Sequence, residues 1–344
     1  MMTQLNRQIV LVSRPVGEPK TNDFKMVEGV AREPEAGEVL CRSIYLSLDP
    51  YMRGRMSAAK SYAKPVEVGD VMEGGAVGEV LNSKYPGIET GDFVLGAGGW
   101  QEYFTLSGAS LRKLDPGRAP ISTALGVLGM PGVTAYTGLL NIGKPESEET
   151  VVVAAASGAV GSAVGQIAKI KDARAVGIAG SAEKCGFVVD ELGFDACIDH
   201  RDPDFRDQLQ NACPNGIDVY FENVGGPVFK AVLPLLNQFA RVPVCGVISH
   251  YNDTALPDGP DATSLILRSA LVKRLTIRGF LVFDFVDQEA EALEQLTQWV
   301  SDGRLKYRED FVSGLEAAPE AFIGLLKGKN FGKLIVKISS LDKD

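Results

Sequence analysis

The chain has 344 residues, 45% of them apolar and 23% charged, with a formal charge of −9. That length suits two domains better than one core, and the composition is that of a globular protein in water. The acidic balance argues against nucleic acid or an anionic membrane as partner, and no apolar run approaches a membrane span.

In chain order, the first 125 residues read as short strands broken by glycine and proline, at 9–13, 38–46, 72–81, 93–95 and 102–106. Dense turns and little helical periodicity predict a compact β-rich domain. From about Gly126 strand and helix alternate. Strands are expected at 151–156, 175–179, 196–198, 218–223, 241–245 and 276–280, joined by helical or loop connections, as in a doubly wound parallel sheet. Residues 289–300 form an amphipathic helix ended by Gly303. From Tyr307 the tail returns to mixed β character. The expected division is therefore 1–125 with 307–344 as the β-rich part and 126–306 as the dinucleotide-binding part. Residues 1–10 lack a signal-peptide core. Five cysteines, an odd number with no C-x-x-C pair, point to reduced thiols and the cytoplasm.

The stretch from Val151 to Lys184 carries most of the functional information. Three valines run into a turn of small residues, and an amphipathic helix begins at once. Ala156, Gly158 and Gly161 occupy the three glycine positions of the G-x-G-x-x-G dinucleotide fingerprint, with alanine at the first. Gly158 lets main-chain N–H groups approach a pyrophosphate, and Gly161 lets the helix pack closely on the strand. The helix N-terminus adds unpaired donors and positive dipole character. Val160, Val164, Ile167 and Ala168 give that helix its apolar stripe.

The end of the next strand bears on the choice of dinucleotide. An NAD enzyme places an Asp or Glu there for the ribose hydroxyls. Here the run continues Gly180-Ser181-Ala182-Glu183-Lys184, with no acid at the strand end and a lysine just beyond. A carboxylate would repel a 2′-phosphate, whereas Ser181 and Lys184 can donate to one. A solvated helix lysine is the bland alternative for Lys184, but the missing acid favours NADP(H) over NAD.

Several long motifs add up to a family. They are YLSLDPYMRGRM (45–56), VLGMPGVTAYTGLL (127–140), AAASGAVG (154–161), YFENVGG (220–226), VCGVISHY (244–251) and LLKGKNFGK (325–333). The chain resembles the medium-chain dehydrogenase/reductase superfamily nearly end to end. It is most similar to the zinc-independent prostaglandin and leukotriene reductase branch, and within it to the bacterial NADPH-dependent curcumin reductases. The resemblance implies a Rossmann-type parallel sheet with a β-rich, GroES-like catalytic domain, and commonly a dimer. In a zinc alcohol dehydrogenase of the superfamily, a cysteine ligand would fall near Asp49 and a histidine near Met72. Neither residue type is there, only His200 and His250 occur in the chain, and there is no four-cysteine lobe. No metal is expected.

The resemblance also assigns roles. It implies Gly158, Ala159, Val160 and Gly161 at the pyrophosphate, Lys184 at the 2′-phosphate and His200 on the adenosine side. Asn223, Cys245, Phe280, Leu281, Val282 and Asn330 are implied cofactor contacts, with Thr134 near the nicotinamide. Core packing is the alternative for Phe280 and Val282. Cys245 reads better as a small buried residue than as a nucleophile.

Without a Lewis acid, reduction of a C=C bond conjugated to a carbonyl is the easier chemistry. Charge then collects on the carbonyl oxygen, where a donor can stabilise it. A tyrosine suits that role because its reference pKa near 10 keeps it protonated. Three compete, ranked Tyr251, then Tyr51, then Tyr62. The expected function is NADPH-dependent reduction of enones and enals of small apolar substrates. A zinc-free quinone reductase and a non-catalytic NADPH-binding protein are the alternatives. The proline-rich stretch 252–263 reads either as a lid or as an ordinary surface connection. The 276–280 strand is expected at a sheet edge, where it can pair across a twofold axis.

Overall fold

The structure is a computed structural model of the chain and describes residues 4–255 and 262–341. Residues 256–261, in the middle of the expected lid, lie outside the described residues. The chain divides into two compact units, residues 1–126 with 309–344 and residues 127–308.

The first unit is β-rich. Its strands begin with β1 (Leu5–Leu11), β2 (Phe24–Val30) and β3 (Glu38–Ser47). A short helix α1 (Met52–Arg55) follows, then β4 (Ala76–Ser83), β5 (Phe93–Gly96), β6 (Tyr103–Ser107) and β7 (Arg112–Leu114). β3 is the organising strand. It pairs antiparallel with both β4 and β6, and seven of its ten residues are buried, Val39, Cys41, Ile44 and Leu46 among them. An aromatic cluster fills the centre, with Phe24 stacked on Trp100 at 5.5 Å and Trp100 edge-on to Phe322 at 5.8 Å.

The second unit holds a six-stranded parallel sheet. Its elements in order are α2 (Met130–Gly138), β8 (Thr150–Ala154), α3 (Ala159–Ile170), β9 (Arg174–Ala179), α4 (Ala182–Asp190) and β10 (Ala196–Asp199). Then come α5 (Phe205–Ala212), β11 (Ile217–Phe221), α6 (Gly226–Val232), β12 (Leu236–Val244), α7 (Thr263–Lys273), β13 (Thr276–Gly279) and α8 (Glu289–Ser301). The spatial order is β10-β9-β8-β11-β12-β13 with every pair parallel. That is the doubly wound dinucleotide-binding order, and the strand order reverses between β8 and β11. β8 is buried on both faces, which explains its unbroken Thr-Val-Val-Val-Ala sequence. Of the expected α3 stripe, Val164, Ile167 and Ala168 are fully buried while Val160, in the first turn, is only partly buried; each large buried one contributes about 1.5–3 kcal/mol.

Gly303, with φ +75°, ends the helix expected at 289–300. The tail then returns to the first unit as β14 (Glu309–Ser313), α9 (Ala318–Leu326) and β15 (Lys333–Lys337). β15 pairs with β3, so the tail is part of the larger β-sheet. α9 is a difference from the sequence reading. Its Ala318, Pro319, Phe322 and Leu325 face the aromatic core, a helical spacing hidden among short strands.

Candidate active site

The reversal point of the parallel sheet is where such folds bind ligands. On one side of it, β8 ends at Ala154 and the chain turns through Ala155, held at φ +53°. Ala156 is fully buried, and its N–H donates to Ile178 O at 3.0 Å, tying the turn to β9. Gly158 caps α3, so the N–H groups of Ala159, Val160 and Gly161 belong to the first helical turn. A Cβ on Gly158 would meet only Ala155 O, at 3.2 Å, so the space over the turn is open. A Cβ on Gly161 would fall 2.3 Å from Ala155 O, a main-chain clash. The two glycines thus differ in their surroundings, with open space at Gly158 and close main-chain packing at Gly161.

Across the reversal, Glu222 and Asn223 follow directly after β11. Asn223 Nδ2 donates to Ala154 O at 2.8 Å and bridges the ends of β11 and β8. The Glu222 carboxylate accepts from the N–H groups of Val224 and Gly225 at 2.6 and 2.8 Å. Burial raises its pKa, and those main-chain donors oppose the rise.

The corner expected to select the cofactor lies after β9. Ser181 caps α4 and accepts from Lys184 N at 3.2 Å, so Lys184 stands in the first helical turn. His200 follows β10, and its N–H donates to Ala179 O at 3.0 Å. Its Nε2 and the Arg201 Nη2 lie 3.3 and 3.5 Å from where a Cβ of Gly180 would be. Burial lowers the His200 pKa most, and the Arg201 and Lys184 charges lower it further against Asp199. His200 and Arg201 thus share the space beside Gly180, and the Lys184 charge reaches His200. Arg201 escaped the sequence reading, although a second basic residue just past the third strand was a usable signal.

The remaining predicted residues of this unit follow β12 and β13. Burial and the nearby Glu222 carboxylate push the Cys245 thiol up to about 12, so it stays a neutral thiol. Tyr251 is half-buried, and its hydroxyl lies 3.0 Å from where a Cβ of Gly246 would be. Asn223 O is 3.6 Å from that same point, so the phenol tip sits over the glycine turn beside the end of β11. Thr134 is buried in α2, with its hydroxyl donating to Met130 O at 2.7 Å. The Phe280 ring is a core element that covers Gly138 and meets Phe221 edge-on at 6.1 Å. Leu281 N donates to Asp284 Oδ2 at 3.0 Å, and Val282 opens a short 3-10 helix.

Tyr51, Tyr62 and Asn330 belong to the first unit. Tyr51 precedes α1, and the Arg55 guanidinium lies 5.5 Å from its ring and 4.6 Å from that of Tyr62. Arg55 is also paired with Glu73 at 2.5 Å. Burial, then the Asp49 and Glu73 carboxylates, raise the Tyr51 phenol above its ordinary range, with Arg55 opposing. Tyr51 is thus held protonated and able to donate. Tyr62 is 53% exposed. Asn330 Nδ2 donates to Gly332 O at 2.8 Å within its own turn.

The two positions at which the superfamily's zinc ligands would fall are otherwise engaged. Asp49 is buried against Lys333 Nζ at 2.5 Å, and Lys333 also donates to Leu48 O at 3.0 Å. Met72 is fully buried in the apolar core. An ammonium-paired carboxylate and a packed thioether do not make a thiolate–imidazole site. Among the described residues no group of three His, Cys, Asp or Glu could hold a metal ion.

Comparison with known proteins places this geometry. Residues 7–114 match the N-terminal domain of oxidoreductase family, and residues 159–301 match the family described as zinc-binding dehydrogenase. The chain is 53% identical to the NADPH-dependent curcumin reductase of Escherichia coli over 340 residues, 98% of this chain and 99% of that one. The chain belongs to the medium-chain dehydrogenase/reductase family. It is also 39% identical to the NADP(+)-dependent 2-alkenal reductase of Nicotiana tabacum, over 97% of this chain and 98% of that one. Among solved structures, CurA from Vibrio vulnificus in complex with NADPH matches with a TM-score of 0.94 and 54% identity. That match covers 97% of this chain and 99% of the other.

Proposed function

We propose that this chain is an NADPH-dependent reductase of the C=C bond in α,β-unsaturated ketones and aldehydes. The observation that carries this reading is the end-to-end likeness to an NADPH-dependent curcumin reductase and a 2-alkenal reductase. Curcumin and 2-alkenals share a C=C bond conjugated to a carbonyl. The donor set fits NADP(H). Open space lies over Gly158, no acid stands at the end of β9, and His200 and Arg201 border Gly180, with the Lys184 charge acting on His200. When bound, the reduced nicotinamide supplies hydride to the β-carbon of the substrate.

The protein's own residues then have these roles. The α3 N-terminus and the Ala155–Gly161 turn hold the pyrophosphate. Ser181, Lys184 and Arg201, with His200 beside them, take the 2′-phosphate. Asn223, Cys245, Thr134 and residues 280–282 shape the nicotinamide end. Tyr251 donates to the carbonyl oxygen as enolate charge develops, with Tyr51 and Tyr62 ranked after it. Assays of enones beside simple quinones test this reading. NADPH oxidation with enones is expected, and turnover of quinones alone would reject it.

The working protein is a homodimer built across the β13 edge. β13 is the last strand of the parallel sheet, all four of its residues are exposed, and its Ile277 is 41% exposed. The preceding helix α7 also exposes Leu265, Leu267, Leu271 and Val272, apolar surface that a second copy would cover. Light scattering should give twice the chain mass, and Ile277→Arg with Leu267→Glu should give one chain mass. A monomeric parent protein would refute this. Among the described residues no helix is long and apolar enough to cross a membrane. The five free thiols suit a reducing compartment, and we place the enzyme in the cytoplasm.

A further inference from the structure

Beneath the basic corner lies a pair of thiols that the proposed reaction does not use. α4 turns Cys185 and Val188 inward, three residues apart on one helical face. Gly177 on β9 has no side chain, and Cys197 on the neighbouring β10 fills the gap. A Cβ at Gly177 would lie 3.0 Å from both Cys197 Sγ and Val188 Cγ1. The result is that Cys197 Sγ and Cys185 Sγ stand 3.0 Å apart, inside ordinary sulfur–sulfur contact. Closure to a disulfide of about 2.05 Å needs a movement of only about 1 Å. The other cysteines, Cys41, Cys213 and Cys245, show no such contact among the described residues.

We propose that Cys185 and Cys197 are an oxidative modification site that hydroperoxides convert to a reversible disulfide, and that this bond weakens NADPH binding. Cys185 is the attacking sulfur. It sits in the first turn of α4, where the helix dipole favours a thiolate, and it accepts a hydrogen bond from the Cys197 thiol. That hydrogen bond, more than anything else, holds the Cys185 pKa below the ordinary thiol value. Cys185 lies at the edge of accessibility at 9% exposure, and Cys197 is partly exposed, which admits a small oxidant.

The Cys185 thiolate attacks one peroxide oxygen and the O–O bond breaks. A sulfenic acid forms, and the departing hydroxide (or alkoxide) takes a proton. The Cys197 sulfur then loses its proton and attacks Cys185 sulfur, expelling the second oxygen as water. Two thiols are oxidised by two electrons, and hydrogen peroxide is reduced to two waters. The new bond ties the first turn of α4 to β10. Lys184 immediately precedes Cys185, and His200 and Arg201 follow Cys197 closely, so the basic corner is reset from both sides. This second half rests on the reading of Lys184 as a phosphate ligand.

The test is hydrogen peroxide treatment of the purified full-length protein, followed by alkylation, intact mass and peptide mapping. A 185–197 disulfide with three alkylatable cysteines left is expected, reversed by dithiothreitol. NADPH affinity should fall roughly tenfold in the oxidised protein and recover on reduction, the scale of one lost charge-assisted contact. Cys185→Ser and Cys197→Ala should each lose both the bond and the peroxide effect on affinity. Two alkylatable thiols at 185 and 197 after peroxide treatment, or a formed disulfide with unchanged NADPH affinity, would overturn the proposal. Lys184→Ala titrated in parallel keeps the readings apart. If that variant binds NADPH normally, the phosphate reading fails, while the thiol pair is still judged by mass.

Discussion

Replacing Lys184 by alanine is expected to weaken NADPH binding by roughly 10- to 100-fold, the equivalent of about 1.5–3 kcal/mol for a charge-assisted contact to phosphate. NADH binding should change by less than about twofold, because NADH has no 2′-phosphate for the ammonium to meet. The contrast between the two dinucleotides matters more than either number. A lysine that merely stabilised α4 would affect both alike. Arg201 is exposed, so solvent screens it and Arg201→Ala should lose less. The double variant should lose less than the product of the two, since both charges are proposed to meet one phosphate and both bear on His200. Calorimetric titration of the four proteins with each dinucleotide checks the pattern. Equal losses for NADPH and NADH would remove Lys184 from the phosphate site.

Tyr251→Phe should slow enone reduction on the order of 100-fold in kcat, the usual loss for one donor aimed at a developing oxyanion. NADPH affinity should stay nearly unchanged, because the substitution keeps the ring over the Gly246 turn and removes only the hydroxyl. Steady-state kinetics with parallel NADPH titration separate the two effects. If Tyr251→Phe is fully active, Tyr51→Phe becomes the decisive variant. Tyr51 is the stronger of the other two on physical grounds. Burial and two carboxylates keep its phenol protonated, whereas Tyr62 is mostly in water.

The parallel sheet was the most legible part of the fold. Unbroken valines in β8, small residues after it and an apolar helical stripe each point to the same strand–turn–helix unit. β12 was only half legible. The strand runs Leu236–Val244, but its first half is polar and kinks at Phe239, where φ is +64°. Such an interruption hides strand periodicity, so only the last residues carried a signal. β2 and α9 were missed for a related reason. Both depend on burying Phe24 and Phe322 against Trp100, a contact among residues far apart in the chain.

The candidate site divides in the same way. Gly158, Gly161 and Lys184 lie within one short stretch, and local pattern suffices to find them. Arg201 and the thiol pair depend on β10 lying beside β9, a tertiary fact of which only the basic residue type at 201 leaves a local trace. Phe280 shows the converse. The resemblance implies a cofactor contact for it, with core packing as the alternative, and its ring packs over Gly138 and Phe221. Asp49 and Met72 were informative through residue type alone. The structure adds that Lys333, nearly 300 residues from Asp49 in sequence, neutralises that carboxylate.

The central claim is that hydrogen from NADPH reaches the β-carbon of a conjugated carbonyl compound. The most direct measurement uses NADPH carrying deuterium at the transferred C4 position, an α,β-unsaturated ketone and product analysis by NMR. The account predicts a saturated ketone with one deuterium on the β-carbon and a carbonyl that is untouched. Deuterium on the carbonyl carbon of an allylic alcohol would contradict it.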